Sequence, residues 1–197
     1  MTLTSNIGSY DDRRANFSWE GAREELGLDG LPANIGWLCS DRICERGGGA
    51  RVAMLWEGHG GARARYTYDD LRRRSNAFAV LLRELGVEPG DRVALFMDRV
   101  PELYFSFLGV LKAGAIVQPL FSAFGEDSLE TRLEDAGTIT VITQLRHGRK
   151  IRKIRDRLPA LRHVVVVDAP ADKLKEGERA FALEQSDLPE HFDAFEA

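Results

Sequence analysis

The chain has 197 residues, 44% of them hydrophobic and 29% charged, with a formal net charge of -4, which excludes a disordered tail and fits one sizeable core or two small ones. So mild an acidity argues against a dedicated nucleic-acid binder, which carries a basic excess. The best apolar stretch, Phe105 to Phe121, is interrupted by Lys112 and by glycines and falls short of the roughly 18 consecutive apolar residues of a membrane span, so neither a nucleic-acid nor a membrane partner is expected.

Residues 1–31 read as an irregular arm with Phe17 and Trp19 as apolar anchors and a short helix from Glu20 to Leu26. Met1 to Asp12 lacks a basic region followed by an apolar core, so no secretory signal is expected and the default location is cytoplasmic. Asn34 to Arg46 reads as a helix with Ile35, Leu38 and Ile43 on its apolar face, broken by Gly47-Gly-Gly-Ala50. Cys39 and Cys44, the only cysteines, fit neither a zinc site nor a Cys-x-x-Cys motif and read as reduced packing residues. Residues 1–46 are thus assigned to an N-terminal cap or arm.

Residues 47–168 carry the strand–helix alternation of a partial α/β domain. Val52 to Trp56 and Ala64 to Tyr68 read as a hairpin around His59-Gly-Gly-Ala62. Thr67 and Asp70 approximate a capping box for a helix whose face is Leu71, Ser75, Phe78, Leu82 and Leu85, closed by Gly86. Arg92 to Met97 is a strand. Pro101 suits the first position of the next helix, and Gly114 its left-handed stop. Ala115 to Val117 run apolar, as in a strand covered on both faces. A helix at 126–136, a strand at 139–143, a basic helix at 146–157 and a strand at 163–167 follow. Such alternation predicts right-handed crossovers and a mostly parallel sheet. After Asp168 the periodicity fades, and 169–197 read as a linker. In this fold class ligands bind at the carboxyl ends of the strands, here 97–100, 120–125 and 143–149.

Local motifs for catalysis are lacking. The Gly-rich stretches at 47–49 and 58–61 have neither the Lys-Ser/Thr of a P-loop nor Gly-x-Gly-x-x-Gly. His59, His147, His163 and His191 have no local partner at metal or nucleophile spacing, so no catalytic or metal-ligating residue is assigned. The basic run from Arg146 to Arg157 has three readings. Ile151, Ile154 and Leu158 can pack inward with the charges in water. Arg146 and Arg149, opening a helix after a strand, can form a phosphate cradle from guanidinium forks and backbone N–H groups. A nucleic-acid face is the minor third reading. On the residues alone, the solvated helix prevails.

Three runs carry a wider resemblance: Tyr66-Thr-Tyr-Asp-Asp-Leu71, Leu85-Gly-Val-Glu-Pro-Gly-Asp-Arg-Val-Ala94 and Pro101 to Ala115. In their order and spacing they resemble the N-terminal part of AMP-forming acyl-CoA synthetases. Phe121-Ser-Ala-Phe-Gly125, Arg132-Leu-Glu-Asp135, Val141-Ile-Thr143 and the upstream Trp19-Glu20, Leu31-Pro32 and Asn34-Ile35 are similar to the acetyl-CoA synthetase (acetate–CoA ligase) branch. The resemblance implies that acetate and ATP, with Mg, form an acetyl-adenylate and pyrophosphate, and that the thiol of CoA then displaces AMP. It implies that Phe121, Ser122 and Ala123 line the CoA channel, as the family's FGGF segment does. It also implies that Arg146 and Arg149 meet the nucleotide phosphates of CoA, where guanidinium pairs bidentately. Ser122 and Ala123 stand where the family has glycines, and His147 is the spacer before Gly148.

The family's phosphate loop, a Ser/Thr-Gly-rich run ending in Pro-Lys-Gly, does not occur in these 197 residues. The linker at 169–197 is expected to lead toward it, and the chain alone is expected to be inactive, with no tightly bound cofactor. Three alternatives follow: a piece of a ligase with exposed apolar surface and a tendency to self-associate, a stand-alone CoA- or nucleotide-binding module, or a protein that docks on an intact ligase.

Overall fold

The computed structural model describes residues 8–28, 34–181 and 188–195, and the chain divides into two compact units, 1–33 and 34–197. The first holds helices α1 (Tyr10–Ala15) and α2 (Trp19–Leu26). Ser9 and Ser18 cap them by accepting from the N–H groups of Asp12 and Gly21, which satisfies donors that have no partner inside a helix. Arg13 joins the two helices through a bidentate pair with Glu25 at 2.6 and 2.8 Å, and Phe17 meets Trp19 edge to face at 5.1 Å.

The second unit opens with two short helices, α3 (Ile35–Leu38) and α4 (Asp41–Ile43), running into a π turn at Cys44–Gly48. The single helix expected at 34–46 is therefore broken, and its buried face is not the apolar one. Ile35 is 60% exposed, whereas Asn34, Ser40, Asp41 and Arg42 are buried. Both cysteines are free, and burial pushes the Cys44 thiol upward.

Strands β1 (Val52–Glu57) and β2 (Arg63–Thr67) form the expected antiparallel hairpin. Helix α5 (Tyr68–Glu84) starts at a true capping box: Thr67 accepts from the Asp70 N–H, and the Asp70 carboxylate accepts from the Thr67 N–H at 2.8 Å. There follow β3 (Arg92–Phe96), α6 (Pro101–Lys112), β4 (Ile116–Leu120), α7 (Glu126–Asp135), β5 (Thr140–Thr143), α8 (Leu145–Ile154) and β6 (His163–Val166). With a short last strand, β7 (Glu178–Ala180), the described strands from β3 onward pair in parallel, in the order β4-β3-β5-β6-β7. The fold is α/β.

The pleat sorts the core. Val93, Leu95 and Met97 face α5 and α6, packing with Phe78, Leu82 and Phe105, while Ala94 and Phe96 face α7 and α8, packing with Leu129, Leu133 and Ile151. Ile151, Ile154 and Leu158 are buried as the first reading of the basic helix requires.

Two local expectations change. β4 is an edge strand, not one covered on both faces: Ile116 is exposed, and Pro119, which has no N–H to give a further strand, is tolerated there. Beyond Asp168, where periodicity fades, a fifth parallel strand β7 (Glu178–Ala180) pairs with β6. Three residues are too few to show alternation. The strand is held from outside, by the buried Glu178 carboxylate receiving Arg152 of α8 at 2.6 and 2.9 Å. Residues 188–195 lie along α5, where Arg72 donates to the Glu190 carbonyl, Arg83 donates to the Asp193 carbonyl, and the Arg83 guanidinium stacks on Phe192.

Candidate functional site

Helix α6 leads from β3 to β4 on one face, and α7 leads from β4 back past β3 to β5 on the other. The strand order therefore reverses at β3, and a crevice opens beyond the carboxyl ends there. A cleft of about 1010 Å³ occupies this position. Met97 to Val100 after β3, Pro119 to Ser122 at the end of β4, Gln144 and Arg146 after β5, and Asp168 after β6 line it. Trp56 to His59 of the hairpin add a wall, fixed by the Trp56 indole N–H donating to the Arg99 carbonyl at 2.8 Å.

Phe121, Ser122 and Arg146 are thus brought together, while Ala123 and Arg149 are exposed and do not line the cleft. Phe121 is 64% exposed and meets Phe124 edge to face at 5.9 Å. The loop takes its shape from α8: the Lys150 ammonium donates to the carbonyls of Ser122 and Phe124 at 3.1 and 2.8 Å. Sequence reasoning missed this residue, because nothing local distinguishes Lys150 from the other cations of its helix.

Most of those cations are already engaged. Lys153 pairs with Glu126, Arg157 with Glu130 and Arg152 with Glu178. Arg149 alone among the described cations at the start of α8 makes no ion pair or side-chain hydrogen bond. Arg146 is paired with Asp98, whose Oδ2 also lies 3.1 Å from His147 Nε2. The backbone N–H at the head of α8, on Leu145, donates to Asp168 Oδ1 at 2.6 Å. An acidic side chain of the chain itself therefore sits where a helix start favours an anion. Burial, with Arg146 and Lys150 adding to it, pushes His147 down from its ordinary range. Its ring packs on Phe96 at 5.2 Å. The Asp98 and Asp168 partners come from other strand ends, so no sequence spacing could reveal them.

Among the described residues there is no cluster of His, Cys, Asp and Glu that could hold a metal ion, and no helix is long and apolar enough to cross a membrane.

A parallel sheet with a ligand-sized cleft at its reversal point defines the class, and a family model for AMP-binding enzymes matches residues 41–194. The chain belongs to that family. Within it, the chain is similar to the acetyl-coenzyme A synthetase of Bacillus subtilis (strain 168), 35% identical over 169 residues, which are 85% of this chain and 29% of the relative. It is also similar to the acetyl-coenzyme A synthetase of Streptomyces coelicolor, 40% identical over 110 residues, or 56% of this chain and 17% of the relative. The crystal structure of Brucella canis acyl-CoA synthetase matches with a TM-score of 0.80 and 30% identity, over 94% of this chain and 33% of that one. The chain spans less than a third of the length of the curated relatives it matches.

Proposed function

We propose that this chain forms part of the coenzyme A channel of a cytoplasmic, AMP-forming short-chain acyl-CoA synthetase acting on acetate. The observation that carries the reading is the cleft at the strand ends, where Phe121, Ser122 and Arg146 converge in a chain similar to acetyl-CoA synthetases. In the whole reaction acetate and Mg-bound ATP give acetyl-adenylate and pyrophosphate, and the CoA thiol then displaces AMP. Here the Arg146 and Arg149 guanidinium groups meet the nucleotide phosphates, while Phe121 and the Ser122–Ala123 backbone flank the ligand. Adenylation needs positive groups aimed at the transferring phosphate. None is assigned in this chain, so it alone is expected to be inactive.

Calorimetric titration of the 197-residue chain with CoA tests this. Saturable binding is expected, reduced about tenfold or more by replacing both Arg146 and Arg149 with Ala, since a charge-assisted hydrogen bond contributes about 1.5–3 kcal/mol. ATP–pyrophosphate exchange is expected to be absent. Undiminished binding by the double variant would overturn the site.

A second reading, self-association with another copy of the chain, rests on a separate apolar groove of about 460 Å³. Met54, Leu55, Tyr104 and Phe107 are among its lining residues, and Leu55 is 76% exposed.

A further inference from the structure

β1, β2, β4 and β7 lie at sheet edges, and all but β1 are guarded. β2 carries Arg63 and Arg65, β7 carries Glu178 and Arg179, and β4 contains Pro119. Charges and proline at an edge discourage another strand from pairing there. β1 has neither from Val52 to Trp56, and among the described strands it pairs with β2 alone. The register irregularity between Val52 and Met54 falls at its start, leaving Met54 to Glu57 regular. The apolar groove runs beside this edge. Met54, Leu55 and Trp56 line one side of it and Tyr104, Phe107 and Leu108 of α6 the other, with no residue of β2 among its walls. The groove therefore lies on the side of β1 away from β2, and Leu55 and Tyr104 stand exposed there.

We infer that the free edge of β1 pairs antiparallel with β1 of a second copy of the chain, joining the two hairpins into one continuous sheet about a two-fold axis. The inference deepens the second reading above, self-association through the groove. Backbone N–H and C=O groups along the open edge supply the hydrogen bonds, and side chains entering the groove supply the fit. The ends of the strand set its direction. Arg51, exposed and just ahead of β1, has no ion pair among the described residues. Glu57, the last residue of β1, receives Arg63 of its own hairpin on Oε2 at 3.0 Å, which leaves Oε1 for a neighbour. Antiparallel copies bring Arg51 of each beside Glu57 of the other. Parallel copies would set like charges together. A two-fold contact also uses the same patch on both copies, so assembly closes at a dimer.

Sedimentation over a range of chain concentrations tests this in wild type, L55K, R51E and R51E/E57R, with thermal melts to confirm folding. Wild type is expected to form a reversible dimer. Alternate amides from Met54 to Glu57 are expected to exchange more slowly as the dimer fraction rises, because every second N–H along a strand points to the same neighbour. R51E is expected to weaken dimerisation about fivefold, the weight of exposed ion pairs. R51E/E57R is expected to regain most of that loss, since the swapped charges meet again across the two-fold. A contact made by groove side chains alone would be lost in L55K, yet leave the β1 amides unprotected and R51E/E57R no better than R51E. In that result the strand pairing fails and the second reading stands. A chain that stays monomeric at every concentration, or a dimer that persists in L55K, overturns both.

Discussion

The Lys112 ammonium, wholly buried at the end of α6, lies 2.5 Å from the Asp41 carboxylate of α4, which is itself 6% exposed. Lys112 also donates to Asn76 Oδ1 at 2.6 Å, and the Ser40 hydroxyl donates to Asp41 at 2.8 Å. Burial holds the Lys112 pKa below its ordinary value, against the opposing pull of Asp41. This network explains why α3 and α4 turn a polar face inward. A charge taken out of water must be matched, and Asp41, Asn76 and Ser40 match Lys112.

Removing one partner leaves the other charge buried alone. Asp41→Ala is therefore expected to cost about 3–5 kcal/mol of unfolding free energy, and the double replacement D41L/K112M clearly less. Urea denaturation of the three proteins checks this. A single variant as stable as wild type would contradict it.

Helices α5 and α6 approach each other over Gly109, where an added Cβ would come within 2.5 Å of Phe78 Cβ and 2.7 Å of the Ser75 carbonyl oxygen. Gly109→Ala is expected to destabilise the chain by about 1–3 kcal/mol through overpacking, despite the better helix propensity of Ala. The thermal midpoint reads the result.

Stability is expected to fall as pH drops below about 7. Burial lowers both His147 and His163, so the unfolded chain takes up their protons first, near the ordinary histidine pKa of about 6.5. Wherever the unfolded state binds more protons, stability rises with pH. At lower pH two glutamates act in the same direction. For Glu130, hydrogen bonding to Arg157 holds the pKa down. For Glu178, burial opposes, but Arg152 and the Lys175 N–H prevail. Their contribution is lost as pH falls through the lowered folded values. Denaturant midpoints measured across pH are expected to flatten between about pH 7 and 5 in H147Q/H163Q, leaving the more acidic limb unchanged.

Lys150→Met removes the ammonium that makes both hydrogen bonds to the 121–125 loop. Hydrogen exchange is expected to quicken at the Phe124 amide, whose bond to the Phe121 carbonyl closes that turn, while core strand amides stay protected. Unchanged exchange at Phe124 would remove Lys150 from the account.

Leu55→Lys is expected to abolish any concentration-dependent association measured by sedimentation, because it places a charge on the groove's most exposed apolar side chain. Association surviving in L55K would place the contact elsewhere.

The sheet, the hairpin and α5 through α8 were legible because each has a local signature. The Thr67–Asp70 box, Pro101 at a helix start, and Gly86 and Gly114 at positive φ are of this kind. The candidate site was legible only in part. Phe121, Ser122 and Arg146 follow strand ends, so topology alone places them at the cleft. Lys150, Asp98 and Asp168 act across 23 to 49 positions of sequence, and β7 is fixed by a partner 26 residues earlier. Those pairings arise when the strands align, and nothing adjacent to them records it.

The most direct test of the central claim is a two-dimensional amide spectrum of the labelled chain with and without CoA. Shifts are predicted to cluster at residues 97–100, 120–124 and 144–150, the ends of β3, β4 and β5. Shifts concentrated on the apolar groove around Leu55 and Tyr104, or none at saturating CoA, would contradict the assignment of this cleft to the coenzyme A channel.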